Sequence, residues 1–215
     1  MERIHKIVYT LAVFVLLAFV DLPGAAAAST GVQSPEQVVQ NVTTEMLNAL
    51  RSRHKAYKNN PRQMVSLIER IIVPHFDIGI MAREALGLNW RRATTDQQKQ
   101  FMTAFRQLLV NDYANEFRDY SDQTVKFLPE HDKAGKDYAT VATHVATPAE
   151  QPVRVDYRLH RAGSDWRIYD VEIDGISLLF TYRDTFSQEL QSETLDALIT
   201  RMENKNAAFL LSTVK

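Results

Sequence analysis

The sequence predicts an α+β fold in which helices pack on one face of a curved, mainly antiparallel four-stranded sheet. Two observations carry that prediction. Apolar residues recur every three or four positions from Ser34 to Tyr120, every second position from Gln123 to Ile173, and helically again after Gly175. The strand-like segments also follow one another through short connections, which favours antiparallel pairing over long parallel crossovers.

The chain opens with Arg3, His5 and Lys6, then an uncharged run from Ile7 to Val20, then Pro23-Gly24 and Ala25-Ala26-Ala27-Ala28-Ser29. That order reads as a secretory signal over 1–28, cleaved after Ala27 or Ala28. The run is too short to span a bilayer, which needs ~20 apolar residues. The expected mature chain is a single α+β domain over 29–215, exported and not membrane-spanning after cleavage.

Ser34-Pro35-Glu36-Gln37 forms a capping box with proline at the first helical position, ahead of Val39, Val42, Met46 and Leu50. Asn60-Pro61 starts a second helix carrying Met64, Leu67, Ile68, Ile71 and Ile72, and Pro74 ends it. Ile78–Leu86 reads as a short helix closed by Gly87. Thr95 with Gln98 reads as the capping box of the longest helix, with Phe101, Phe105, Leu108, Leu109, Tyr113, Phe117 and Tyr120 on one face. Strands are expected over 124–128, 138–146 and 153–160, and over 165–173 after the turn Ala162-Gly163-Ser164. Leu195, Leu198, Ile199 and Met202 mark a final amphipathic helix.

Composition narrows the chemistry. The 215 residues hold 25 Lys plus Arg against 26 Asp plus Glu, a balance that argues against nucleic-acid binding. The absence of cysteine removes disulfides, thiolate metal sites, cysteine nucleophiles and a lipidated anchor. The 7 glycines form neither GxGxxG nor a P-loop. Ser52-x-x-Lys55 lacks the companion motifs of penicillin-recognising enzymes, and no GxSxG occurs. His75-x-Asp77 and His131-Asp132 are lone pairs without a third ligand, so His75 reads as a turn or capping residue and no metal or cofactor is expected. His144 and His160 are expected as a solvated pair on the polar faces of neighbouring strands.

Asp170, Glu172 and Asp174 alternate along one strand, with Val171 and Ile173 on the other side. Trp166 and Ile168 share the parity of the acids, so the strand is expected to twist or bulge near Tyr169. A carboxylate row of this kind could supply a general base from Asp170 or Asp174, but a solvated face is the plainer reading. The aromatic load on the long helix and sheet reads from the residues alone as a core, with a ligand cavity as the alternative.

An ordered set of short motifs adds to this: Pro74-His75-Phe76-Asp77, Met81-Ala82-Arg83, Ala85-Leu86-Gly87, Trp90-Arg91, Ala93-Thr94 and the Phe101-to-Tyr113 stripe. Tyr120-Ser121, Pro152-Val153-x-Val155-x-Tyr157-x-Leu159, Trp166-x-Ile168-Tyr169-Asp170-Val171, Gly175-Ile176-Ser177-Leu178, Tyr182-Arg183-x-x-Phe186 and Lys205-Asn206 follow. In this order the chain resembles the MlaC family of periplasmic phospholipid-binding proteins, also described as toluene-tolerance (Ttg-type) auxiliary components of an ABC transporter.

The resemblance implies a carrier of glycerophospholipid that has no catalytic residues. It would shuttle lipid between an outer-membrane lipoprotein–porin complex and an inner-membrane ABC transporter with an MCE-type substrate-binding subunit, maintaining outer-membrane lipid asymmetry. It also implies an acyl pocket. The expected lining is Phe76, Met81, Leu86, Phe105, Leu109, Tyr113, Phe117, Val141, Val155, Tyr157, Tyr169, Val171, Ile176 and Phe180. Arg83 and Arg183 are the expected headgroup residues, with surface salt bridges as the alternative. Two rivals stand beside the carrier: a small pocketed enzyme using Asp170 or Asp174, and an adaptor that carries nothing.

Overall fold

The computed structural model describes residues 33–118, 124–129, 137–146 and 151–212. The secretory segment expected over 1–28, Tyr120-Ser121 and His131-Asp132 lie outside the described residues.

Helix α1 (Pro35–Asn59) starts where the sequence places it. Ser34 Oγ accepts from Gln37 N at 3.1 Å while Ser34 N donates to Gln37 Oε1 at 2.9 Å, which satisfies two donors left open at a helix start. The helix kinks at Arg53, whose φ of -139° and ψ of 27° leave the helical region. Asn60 caps α2 (Pro61–Ile71), accepting from Gln63 N at 3.2 Å, and a single 3-10 turn, Val73–His75, follows. Asp77 caps α3 (Ile78–Leu86) by accepting from Ile80 N at 2.8 Å. Gly87 ends α3 at a φ of 59° and opens α4 (Leu88–Arg92), a short helix that the apolar period does not announce.

Helix α5 (Thr95–Arg118) has 24 residues and is about 36 Å long. Its capping box is Thr94 with Gln97, one residue earlier than the expected Thr95 with Gln98. The segment Thr94-Thr95-Asp96-Gln97-Gln98 holds two overlapping T-x-x-Q patterns. Gln98 is engaged elsewhere, donating to the Trp90 carbonyl at 2.9 Å.

Among the described residues, five strands form one antiparallel sheet in sequence order: β1 (Thr124–Phe127), β2 (Tyr138–Ala146), β3 (Val153–Ala162), β4 (Asp165–Ile173) and β5 (Ile176–Ser177). The fifth strand corrects the expected four. Asp174 and Gly175 both have positive φ, 47° and 81°, and make the two-residue turn that folds β5 back on β4. The expected irregularity near Tyr169 is a register shift: Arg158 faces Asp170, but Leu159 faces Ile168. Helices α6 (Leu178–Glu189) and α7 (Leu195–Ser212) complete the order.

Among the described residues, three apolar clusters hold these elements together. The largest joins α3, α5, α6 and α7, where Phe105 meets Tyr182 edge-on at 5.1 Å and stacks near Phe101 at 5.7 Å. A second joins α1, α2 and α5 through Leu50, Met64, Leu67 and Val110. The third sets Val38 and Val39 of α1 against Val141, Leu159, Trp166 and Ile168 of the sheet. Helix α5 therefore buries two faces, not the single stripe expected, because helices pack on both sides of it. Phe76 bridges to Ile168, and Asp77 N donates to the Ile168 carbonyl at 2.8 Å, which ties the α2–α3 junction to β4.

Candidate functional site

A cavity lies where the three clusters fail to close. Helices α1, α2 and α5 form one wall, and β2, β3 and β4 form the other. Its volume is about 160 Å³, and it is partly open to solvent. Aliphatic and aromatic side chains make nearly all of its surface; Thr43, Tyr113, Tyr157 and Arg106 contribute the polar groups. A concave, apolar, partly open space with few polar groups suits a ligand with a long apolar body.

Each wall follows from local structure. Along α5, residues Arg106, Leu109, Val110, Tyr113 and Phe117 share one face and run about 16 Å along the axis. On β3, Val155 and Tyr157 point inward by strand alternation while Arg154 and Asp156 point out. On β4 the shift at Tyr169 resets that alternation, so Ile168 before it and Val171 and Ile173 after it all reach the cavity. Tyr157 is half-buried because it borders the empty space. Burial still pushes its hydroxyl up to about 12, moderated by a hydrogen bond with Thr143. Thr143, fully buried, in turn donates to the Val155 carbonyl at 3.0 Å.

Eight of the expected pocket residues border the cavity: Phe76, Met81, Leu109, Tyr113, Phe117, Val155, Tyr157 and Val171. Six do not. Leu86 and Phe105 are buried in the helical cluster, where Tyr182 and Phe186 fill the neighbouring space. Val141 is packed in the α1–sheet cluster. Tyr169, the extra residue of the bulge, meets Tyr138 and His160. Ile176 and Phe180 are exposed, being single apolar residues at a two-residue strand and the first turn of α6.

Sequence reasoning missed the wall built by α1 and α2, including Val42, Met46, Leu47, Ile68 and Ile72. Their stripes were visible, but a stripe reports which way a face points and not whether the space opposite is filled. Leu178, Ile173 and Arg106 were missed as well.

The expected headgroup arginines are elsewhere. Arg183 donates to the Glu84 carbonyl at 2.6 Å and to its carboxylate at 2.7 Å, and neither Arg183 nor Arg83 borders the cavity. Arg83 lies 3.6 Å from the same carboxylate. Arg106 does border the cavity and is ion-paired with Glu69.

The carboxylate row is not uniformly solvated. Asp170 is 3% exposed, a correction to the solvated face expected of it. Its oxygens accept from Ser177 Oγ at 2.6 Å, Val171 N at 2.9 Å and Leu179 N at 3.2 Å, and Arg158 lies 3.7 Å away. It therefore helps cap α6, whose own cap Ser177 accepts from Phe180 N at 3.1 Å. Asp174 accepts from Arg154 N at 3.0 Å in the β4–β5 turn, and neither carboxylate borders the cavity. His144 and His160 do not pair: they face Arg154 and Tyr138, toward opposite ends of β2. His160 lies 2.8 Å from Asp77 and is largely covered, not solvated. Among the described residues no group of three or more His, Asp or Glu could hold a metal ion, and no helix is long and apolar enough to cross a membrane.

Comparison with known proteins gives a consistent result. A family model described as MlaC protein matches residues 40–204. The chain is 30% identical over 178 residues to the toluene tolerance protein ttg2D of Pseudomonas putida, covering 82% of this chain and 80% of that protein. It is 20% identical over 198 residues to the intermembrane phospholipid transport system binding protein MlaC of Haemophilus influenzae, covering 91% of each. Among solved structures it resembles the phospholipid-binding protein of Ralstonia solanacearum in complex with a phospholipid. That match has a TM-score of 0.75 and 26% identity, covering 83% of this chain and 99% of the other.

Proposed function

The chain belongs to the MlaC family, and from that premise we propose that it is a periplasmic phospholipid carrier whose cavity holds acyl chains. The cavity carries this reading: an apolar, open space between helices and a concave sheet is what lipid tails require, and an adaptor with a filled core would have none. The phospholipid in the Ralstonia solanacearum relative supports the same ligand class. Burying acyl chain is worth ~0.8 kcal/mol per CH₂, so two chains of about fifteen carbons gain roughly 20 kcal/mol gross, before the losses of ordering. A soluble protein can hold a lipid in water on that term alone. Escape into water is correspondingly slow, so cargo passes by contact with membrane complexes.

In this reading the partners are an outer-membrane lipoprotein–porin complex and an inner-membrane ABC transporter bearing an MCE-type subunit. The chain reaches the periplasm through a cleaved signal over 1–28, and it performs no chemistry. The enzyme alternative needs a carboxylate at the substrate, and Asp170 and Asp174 are committed to the α6 cap and the β4–β5 turn. Native mass spectrometry of the freshly purified mature protein tests the proposal. Phospholipid bound at one or more per chain is expected. Protein that carries no lipid and takes up none from vesicles would refute it.

A further inference from the structure

We propose that Arg106 recognises the phosphate of the bound lipid, exchanging its contact with Glu69 for the phosphodiester; this rests on the carrier reading above. Of the described residues that border the cavity, Arg106 alone carries a charge. It begins the α5 stripe that Leu109, Tyr113 and Phe117 continue, so it stands at one end of the apolar wall. Its side chain is also 37% exposed. The polar end of an amphiphile must stay within reach of water, and among the described residues bordering the cavity Arg106 is the one that is both charged and partly exposed.

Its partner fits an exchange. Glu69 follows the cavity residue Ile68 on α2, and its side chain is 27% exposed. A guanidinium has five N–H donors, more than one carboxylate can use. The two non-ester oxygens of a phosphodiester match the same fork. An unpaired cation against apolar walls would be penalised, so Glu69 neutralises Arg106 until lipid phosphate replaces it. Neither Arg83 nor Arg183 borders the cavity.

The test equilibrates delipidated mature protein with an equimolar mixture of palmitoyl-oleoyl phosphatidylethanolamine and palmitoyl-oleoyl glycerol, which share tails and differ at the phosphate. Native mass spectrometry reads the ratio of the two bound species. In Arg106→Met the ratio should shift away from the phospholipid by about 10- to 100-fold, the range for hydrogen bonds to a charged group. An unchanged ratio, or equal loss of both lipids, overturns the assignment and leaves the carrier reading intact. If the wild type takes up neither lipid, the carrier reading itself fails. Should Arg106→Met not fold, Glu69→Gln decides: it frees Arg106 and should raise the ratio, and no rise overturns the proposal. Soluble glycerophosphoethanolamine should give no adduct; an adduct lost in Arg106→Met would reassign the site to free phosphate esters and overturn the proposal.

Discussion

Filling the cavity from the sheet separates a lipid site from an ordinary core. Val155 is 6% exposed, yet it borders the empty space from near the start of β3, where it faces Thr143 on one side and Ile173 on the other. Tryptophan at 155 would extend an indole from the sheet toward α5. In a dense interior such an insertion costs ~1–3 kcal/mol through overpacking. Here about 160 Å³ is already empty, so the delipidated variant should melt within about 2 °C of wild type. The same ring occupies space that tails need. Excluding even three methylenes at ~0.8 kcal/mol each removes about 2.4 kcal/mol, or on the order of 50-fold in affinity.

The control is Leu159→Trp, four residues along β3 on the same inward face. Leu159 has no exposed surface and packs among Val141, Trp166 and Ile168 without bordering the cavity. It should lower the melting temperature by roughly 2–12 °C, because overpacking is not relieved there and each kcal/mol shifts a domain of this size by about 2–4 °C. Lipid retention in its folded fraction should match wild type. Two measurements decide: the melting temperature after delipidation and the lipid bound per chain. If Val155→Trp melts as low as Leu159→Trp and keeps its lipid, Val155 belongs to a filled core and the site is not at this strand.

Three further substitutions probe what holds the site in place. Asp170→Ala should lose about 3 kcal/mol by stripping Ser177, Leu179 and Arg158 of a buried acceptor, seen as a melting temperature roughly 6–12 °C lower with lipid binding retained in the folded fraction. Gly87→Ala should lose about 2 kcal/mol through backbone strain alone, since φ is 59° and ψ -128° while the nearest atoms a Cβ would meet, in Arg183, lie 3.5 Å away; equal stability to wild type would contradict this. Tyr157→Phe should be about 1 kcal/mol less stable at neutral pH, having lost the bond to Thr143. The tyrosine hydroxyl ionises near 10 in the unfolded chain and near about 12 when folded, so its contribution is present below pH 10 and declines above it; denaturation curves of wild type and Tyr157→Phe should meet near about pH 11, and a gap that widens with pH would overturn the sign.

Most of the framework is legible in the chain because its local signals agree. β2 and β4 begin and end where the alternation begins and ends, and α1, α2 and α3 start at Ser34, Asn60 and Asp77, each of which caps with its own side chain. β5 escapes because two residues carry no period, although Asp174-Gly175 is itself a turn signal. The site is harder to read. Phe105 and Leu109 are one helical turn apart, yet only Leu109 borders the cavity. What separates them is the filling of space by Tyr182 and Phe186, which arrive some seventy residues later in the chain. The placing of the arginines is hidden for the same reason. Nothing local to Arg183 reveals that Glu84, 99 residues away, holds it, or local to Arg106 that it will border the cavity.

The bulge at Tyr169 ties the polar and apolar halves of the design together. Counting by twos from Trp166 and Ile168, both buried on the inner face, strict alternation would carry Asp170, Glu172 and Asp174 inward. Three carboxylates would then line the space between β4 and α5, where water-poor apolar walls penalise each charge. One extra residue reverses the parity. Val171 and Ile173 take the cavity side, and Asp170 turns to Ser177 and Leu179 at the start of α6. Glu172 pairs with Arg158 on the outer face. The same residue that keeps these carboxylates out of the cavity therefore places the acceptor that anchors α6, whose Leu178 borders the cavity. Sheet irregularity, helix cap and apolar lining form one arrangement, which is why a strand that reads as an acidic row supplies part of an apolar wall.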